Sequence, residues 1–190
     1  TPKFNKIKPV VAGDWSSELI VDDDVQADID FVLKRWSERK RACPVFTAAL
    51  KDEARKFSKI EMKSTRIFYG GPAGLIIAER MVFTWFTRLV QTNPLVFMQA
   101  PGMDATGSQW DLLFKWMNRG DNWIAGDFKE FDISMIIQFL RMSYKFIILL
   151  AKHLGAEADH VVMMEAAAED LINPMVDYFG DLIMGIGKNP

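Results

Sequence analysis

At 190 residues, with 49% hydrophobic and 25% charged side chains, the chain can bury a core and solvate its surface, which excludes a disordered or low-complexity tract. Its single cysteine, Cys43, excludes an internal disulfide, fits a reducing compartment, and is expected to be a small, partly buried apolar side chain. The formal net charge of -2 conceals an asymmetry: residues 34–66 carry eleven Lys or Arg against four Asp or Glu, whereas residues 101–190 carry seven against thirteen. The first stretch suits phosphate-rich partners and the second divalent cations.

Residues 1–20 read as extended and loop-like. Asp22, Asp23 and Asp24 offer an N-cap, and Val25, Ile29, Val32, Leu33 and Trp36 follow at helical spacing, predicting a helix over 24–42 that ends before Pro44. On it Lys34, Arg35 and the run Arg39-Lys40-Arg41 read as a solvated face. Residues 46–50 and 65–69 read as short strands flanking a basic loop. Gly70-Gly71-Pro72 reads as a turn into a helix over 74–91, apolar on most sides and hence buried, which Asn93-Pro94 stops. An amphipathic helix over 108–118 and a turn at 119–122 lead to Trp123-Ile124-Ala125, which has the length and composition of a short core strand ending at Asp127.

Residues 133–154 read as a packed helix, and Gln138, Arg141, Lys145 and Lys152 interrupt its apolar run too often for a membrane span. A helix over 156–171 follows, then a strand or hairpin over 178–186 with its bend at Gly185 and Gly187. The six tryptophans and Met163, Met164, Met175 and Met184 read as core and gap fillers.

Two segments carry chemistry. In Gly126-Asp127-Phe128-Lys129-Glu130-Phe131-Asp132, two carboxylates bracket the passage from strand to helix, and the carboxyl end of such a strand faces the crevice where open α/β sheets bind ligands. On the residues alone, Asp127 also reads as closing a strand and Asp132 or Ser134 as capping the next helix. Upstream, Lys51-Asp52-Glu53-Ala54-Arg55 opens a segment in which Arg55, Lys59, Lys63 and Arg66 recur at a spacing of about four, matching neither a fully exposed helix nor a charge block.

Taken together, these segments resemble the viral RNA-dependent RNA polymerases of the picorna-like group. In that family a K-D-E-x-R segment, followed by alternating basic residues and a closing [ST]-R-[IL], forms the fingertip motif over the incoming nucleotide's phosphates, and Lys51 to Ile67 match it. Ala78 to Phe83 looks like the start of the palm helix and Asn93-Pro94 like the turn after it. Gly102 to Trp110 looks like the loop leading to the first catalytic motif, which Asp127 to Asp132 would then be. The resemblance covers residues 40 to 190.

The resemblance implies an α+β fold, part of a right-hand polymerase that is mostly helical by residue count. Residues 1–72 would be a fingers segment with the basic fingertip, 73–163 a partial palm with the first catalytic Asp motif, and 164–190 the lead into a second palm motif. That motif's Ser-Gly and the third motif's Gly-Asp-Asp are not in the chain, which lacks an initiator methionine and is expected to be a piece of a longer enzyme; Asp181 would be an ordinary turn or cap residue. The implied activity is that of an RNA-directed RNA polymerase, a nucleotidyltransferase adding ribonucleotides to an RNA primer on an RNA template by two-metal transfer in viral genome replication. The piece alone would be inactive.

Residue by residue, the resemblance makes Asp127 the catalytic carboxylate and a ligand for Mg2+ or Mn2+. It makes Asp132 an acceptor toward the ribose 2'-hydroxyl region and puts Arg66 on the incoming triphosphate, with Lys59 and Arg55 beside it. Lys63 stands one position earlier than in the family's Gly-Lys-Ser-Arg, and on a strand a shift of one reverses the side-chain face, so template phosphate or solvent is an alternative to nucleotide there. The implied partners are RNA template and primer, ribonucleoside triphosphates and other viral replication proteins, in the host cell cytoplasm and without a transmembrane segment. Two other readings remain: a non-enzymatic helical interaction or RNA-binding protein with a structural Asp pair, and a reverse transcriptase palm, whose sugar-gate position usually carries a bulky side chain where this chain has Asp132.

Overall fold

A computed structural model describes residues 7–9, 19–62, 65–128 and 131–185. In chain order the elements are β1 (Ile7–Pro9), β2 (Leu19–Val21), α1 (Asp23–Ser37), β3 (Val45–Leu50), α2 (Phe57–Glu61), β4 (Ile67–Gly70), α3 (Ala73–Thr92), α4 (Pro94–Phe97), α5 (Ser108–Met117), α6 (Phe131–Ser134), α7 (Ile137–His153), α8 (Ala158–Ile172), β5 (Met175–Tyr178) and β6 (Asp181–Met184). This is a mixed α+β architecture, mostly helical, with one four-stranded mixed sheet. The chain divides into two compact units, Thr1–Val82 with Asp132–Pro190, and Phe83–Phe131.

In the first unit, α8 packs against both α1 and α7. Its buried side includes Val161, Met164, Ala166, Ala167, Ala168 and Ile172, and the run of alanines leaves room for close neighbours. The matching stripe of α1 is Val25, Ile29, Val32 and Trp36, all buried, with Asp23 and Asp24 in the first turn favourable to the helix dipole. The helix ends at Ser37, earlier than the predicted 42. Arg39 turns left-handed at φ 56, and the Arg39 and Lys40 amides donate to the Trp36 and Arg35 carbonyls, a Schellman closure that stops the helix without Pro44.

The sheet has the order β4-β3-β5-β6, with β3 antiparallel to β4 and parallel to β5. Phe46 and Ala48, on one face of β3, are buried, as period-two alternation requires. The expected turn at 70–72 is instead the end of β4 and a close packing point: a Cβ on Gly71 would lie 2.9 Å from the Phe46 ring, and one on Gly74 would lie 2.5 Å from Asp28 Cβ. Gly70 pairs with Thr47 in the ladder.

β5 and β6 form a hairpin whose bend is Phe179-Gly180, at φ 53 and 95, not the expected Gly185 and Gly187. Two successive positive φ values match the right-handed twist of the strands, and Asp177 Oδ1 accepts the Gly180 amide at 2.8 Å. Gly185 donates to the Pro174 carbonyl at 2.8 Å, and Gly187 lies outside the described residues. Asp181 opens β6 opposite Tyr178, so it is a strand residue and not a cap. The predicted helix over 133–154 is two pieces, α6 and α7, because Ile136 takes an extended conformation at φ -79, ψ 147 and breaks the helical run.

In the second unit, Asn93-Pro94 ends α3 as expected and Pro94 then starts the short α4, its fixed φ suiting a first helical position. Phe86 meets Trp85 and Phe97 edge-on, at ring centroids of 5.7 and 6.1 Å. Asp104 Oδ1 accepts from the Thr106 amide and hydroxyl ahead of α5, and these bonds hold its carboxyl below the ordinary aspartate range. In the first unit's part of α3 the burial is one-sided and not all round: Leu75, Ala78 and Val82 are buried, whereas Met81 is exposed.

Three composition-based expectations fail on burial. Among the described tryptophans Trp36 is fully buried, but Trp110 and Trp123 are about half exposed, and of the methionines Met164 is buried while Met184 is exposed. Cys43 is exposed, at φ 52, instead of partly buried. Arg41 is not on a solvated face: its Nε donates to Asp170 Oδ1 at 3.0 Å and a terminal nitrogen donates to the Asn173 carbonyl at 2.5 Å.

Candidate functional site

The open end of the β3–β4 ladder gathers charge. The pair Leu50 opposite Ile67 is the last in the strands, and the Lys51 amide extends the pairing by donating to the Arg66 carbonyl at 2.8 Å. Residues opposite one another across an antiparallel pair project to the same face, so the ladder sets Lys51 and Arg66 side by side. Like charges so placed repel unless an anion lies between them.

Glu53 is that anion. Its Oε1 accepts from Arg55 Nε at 2.9 Å and from an Arg55 terminal nitrogen at 2.5 Å, and its Oε2 lies 3.3 Å from Lys51 Nζ and 3.7 Å from Arg66 Nη1. The Arg55 hydrogen bond, aided by Lys51, holds the Glu53 carboxyl below the ordinary glutamate range. Three cations therefore converge on one carboxylate, leaving local positive charge in surplus. Arg55 and Arg66, eleven positions apart in the predicted basic segment, are brought together in this way.

Lys59 stands apart from that group, on the five-residue α2, where Phe57 and Ile60 are also exposed, as is Met62 at its C-cap. Among the described residues it makes no ion pair. Lys63 lies outside the described residues. Lys51 and Glu53, which the sequence reading does not single out, join this cluster; the signal available is that both belong to the K-D-E-x-R segment and follow directly on a strand.

Asp127 belongs to the second unit, in an exposed segment over 122–128 that is neither helix nor strand. The predicted core strand Trp123 to Asp127 is thus corrected: Ile124 is 100% exposed and the segment has no hydrogen-bonded neighbour strand among the described residues. A lone extended segment satisfies its backbone with water, and a strand needs a ladder. Trp123 stacks on Phe114 of α5, with ring centroids 6.2 Å apart and planes 10° apart, and Phe128 meets Phe131 at 5.3 Å. Asp132 has its backbone in α6, and its side chain lies outside the described part. The N-cap of α7 is Ile136, without a side-chain bond.

Among the described residues no group of three or more His, Cys, Asp or Glu side chains is arranged to hold an ion. A hard divalent cation takes six or more oxygens, so Asp127 fits as one ligand and does not make a site by itself. No described helix is long and apolar enough to cross a membrane.

A family model described as viral RNA-dependent RNA polymerase matches residues 13–186. The chain is similar to the replicase polyprotein of Drosophila C virus (strain EB), 30% identical over 117 residues, which is 61% of this chain and 7% of that protein. It is similar to the replicase polyprotein of Cricket paralysis virus, 34% identical over 100 residues, which is 52% of this chain and 6% of that protein. Among solved structures, a Sicinivirus 3Dpol RNA-dependent RNA polymerase superposes with a TM-score of 0.76 over 93% of this chain and 36% of that one; at 20% identity this likeness speaks to the fold. The chain spans 6–7% of the two polyproteins and about a third of the solved polymerase.

Proposed function

Because the chain belongs to the viral RNA-dependent RNA polymerase family, in its picorna-like group, we propose that it forms the fingertip and first catalytic motif of an enzyme that adds ribonucleotides to an RNA primer on an RNA template. On this reading residues 1–72 belong to the fingers and 73–163 to the first part of the palm, with 164–190 leading into the second palm motif. The observation that carries it is the family match over residues 13–186, together with the convergence of Arg55 and Arg66 at the mouth of the β3–β4 ladder.

In nucleotide addition a primer 3'-oxygen forms a bond to the α-phosphorus while the bond to pyrophosphate breaks, and negative charge accumulates on the leaving group. Fixed guanidinium and ammonium groups stabilise that charge without reorganising, and guanidinium matches phosphate oxygens in pairs. Arg66 takes this role, with Lys59 and Arg55 beside it, and Lys63 is a weaker candidate. Asp132 accepts from the ribose 2'-hydroxyl region, so a deoxynucleotide leaves it without its partner. Asp127 would give one carboxylate to Mg2+ or Mn2+, and the ion would supply charge stabilisation to the attacking and leaving oxygens. RNA, ribonucleoside triphosphates and other viral replication proteins are the partners, in the host cell cytoplasm.

The test uses full-length polymerase containing this chain. Asp127→Ala abolishes template-directed ribonucleotide incorporation while leaving the fold intact, since the side chain is exposed. Activity within about tenfold of wild type would show that another carboxylate does this work. The 190-residue chain by itself incorporates nothing.

A further inference from the structure

We propose that Glu53 is a positioning residue for the nucleotide triphosphate: it holds Lys51 and Arg66 together, and Arg55 holds it. The inference rests on the polymerase reading above and deepens it by dividing the cations into those that face the triphosphate and one that supports them.

Exposure and bond geometry make the division. Arg55 is 13% exposed and directs two nitrogens at Glu53 Oε1, so its fork is turned inward. Arg66 is 66% exposed and only loosely tethered, at 3.7 Å from Oε2, leaving most of its guanidinium donors toward solvent. Lys51 is 49% exposed and reaches Oε2 at 3.3 Å. Arg55 thus fixes one oxygen of the carboxylate, and the other oxygen gathers the two cations that the ladder already sets side by side.

The arrangement suits a triphosphate better than a settled ion pair does. One carboxylate cannot balance three cations, and the surplus charge is carried by the two exposed ones. Without Glu53, repulsion between Lys51 and Arg66 would splay them, and an incoming triphosphate would have to gather them again at the expense of affinity. An ordinary surface ion pair makes the opposite statement: its removal would leave nucleotide use unaltered.

The experiment measures nucleotide kinetics and RNA binding in full-length polymerase carrying Glu53→Ala or Glu53→Gln. Glu53→Ala raises the nucleotide KM about tenfold with kcat within about threefold, and RNA affinity and its salt dependence stay at wild-type values. Glu53→Gln falls between, because its amide oxygen still accepts from Arg55 but no longer offsets the charge of Lys51 and Arg66. In an Arg66→Ala background, Glu53→Ala adds little further to KM, a non-additivity that a merely structural role would not produce.

A KM within about twofold of wild type for Glu53→Ala, or additive effects in the double variant, overturns the proposal. Should Glu53→Ala fail to fold, the isosteric Glu53→Gln decides by the same limit. A wild-type polymerase that incorporates no ribonucleotide removes the polymerase reading and this inference with it; an active polymerase indifferent to Glu53 removes this inference alone.

Discussion

The indole Nε1 of Trp36 donates to Asp170 Oδ2 at 2.8 Å across 134 positions of sequence, and neither side chain is exposed. The same carboxylate accepts the Ala42 amide at 2.7 Å, the Cys43 amide at 3.1 Å and Arg41 Nε at 3.0 Å. A buried carboxylate is tolerated only when hydrogen-bonded and paired, and Asp170 has both. It thereby ties the end of α8 to α1 and to the chain that leads into β3, the strand whose far end carries Lys51.

Asp170→Ala therefore destabilises by about 3–5 kcal/mol, since it removes every one of these acceptors and strands a half-buried guanidinium. Trp36→Phe removes one donor and costs about 1–3 kcal/mol. Denaturant unfolding of the chain and both variants measures this, and equal losses would mean that Asp170 is not the hub.

Burial of Glu79 raises its carboxyl above the ordinary glutamate range, and Arg80 opposes the shift only in part. Tyr144, whose phenol is pushed upward by burial and then by the Glu79 charge, shares that environment. With the folded value raised, stability is fully present below the ordinary value and falls as pH rises through it toward the raised one, because the unfolded chain ionises first. Glu79→Gln then raises the Tm at neutral pH by about 2–4 °C and has little effect near pH 3.5. Thermal melts at the two pH values check this, and a gain that is larger in acid contradicts the sign.

Sugar choice tests Asp132. In full-length polymerase, Asp132→Ala lowers the preference for ribonucleotides over deoxynucleotides by about two to four powers of ten, with a smaller loss of turnover on ribonucleotides. The ratio of kcat/KM for the two substrates is the measurement, and an unchanged ratio removes Asp132 from the sugar gate.

Arg66→Ala and Lys59→Ala separate triphosphate binding from general RNA binding. If both cations hold the nucleotide, KM rises or kcat falls while RNA affinity and its salt slope stay the same, because the nucleotide's phosphates are not part of the bound duplex. A shared RNA-binding surface would instead flatten the slope of log K against log salt by about one unit for each lost cation.

Element type was legible in the residues wherever a local period or a breaker sets it. The α1 stripe from Val25 to Trp36, the strands around the basic loop and the stop at Asn93-Pro94 all follow from neighbours within a few positions, and a helix or turn forms over that range. Motif order is also a linear property, so the family was legible from Lys51 to Arg66 and Gly126 to Asp132. What the tertiary structure alone decided is who faces whom. Trp123 to Asp127 has the composition of a strand, yet strandhood needs a neighbour, and none is present among the described residues. Arg41 belonged to a run that looked solvated until the fold placed Asp170 beside it. Arg55 and Arg66 were both legible as cations, but Glu53 and Lys51 joined their cluster only when the ladder fixed the register, because charge pairing depends on distances that sequence separation does not contain.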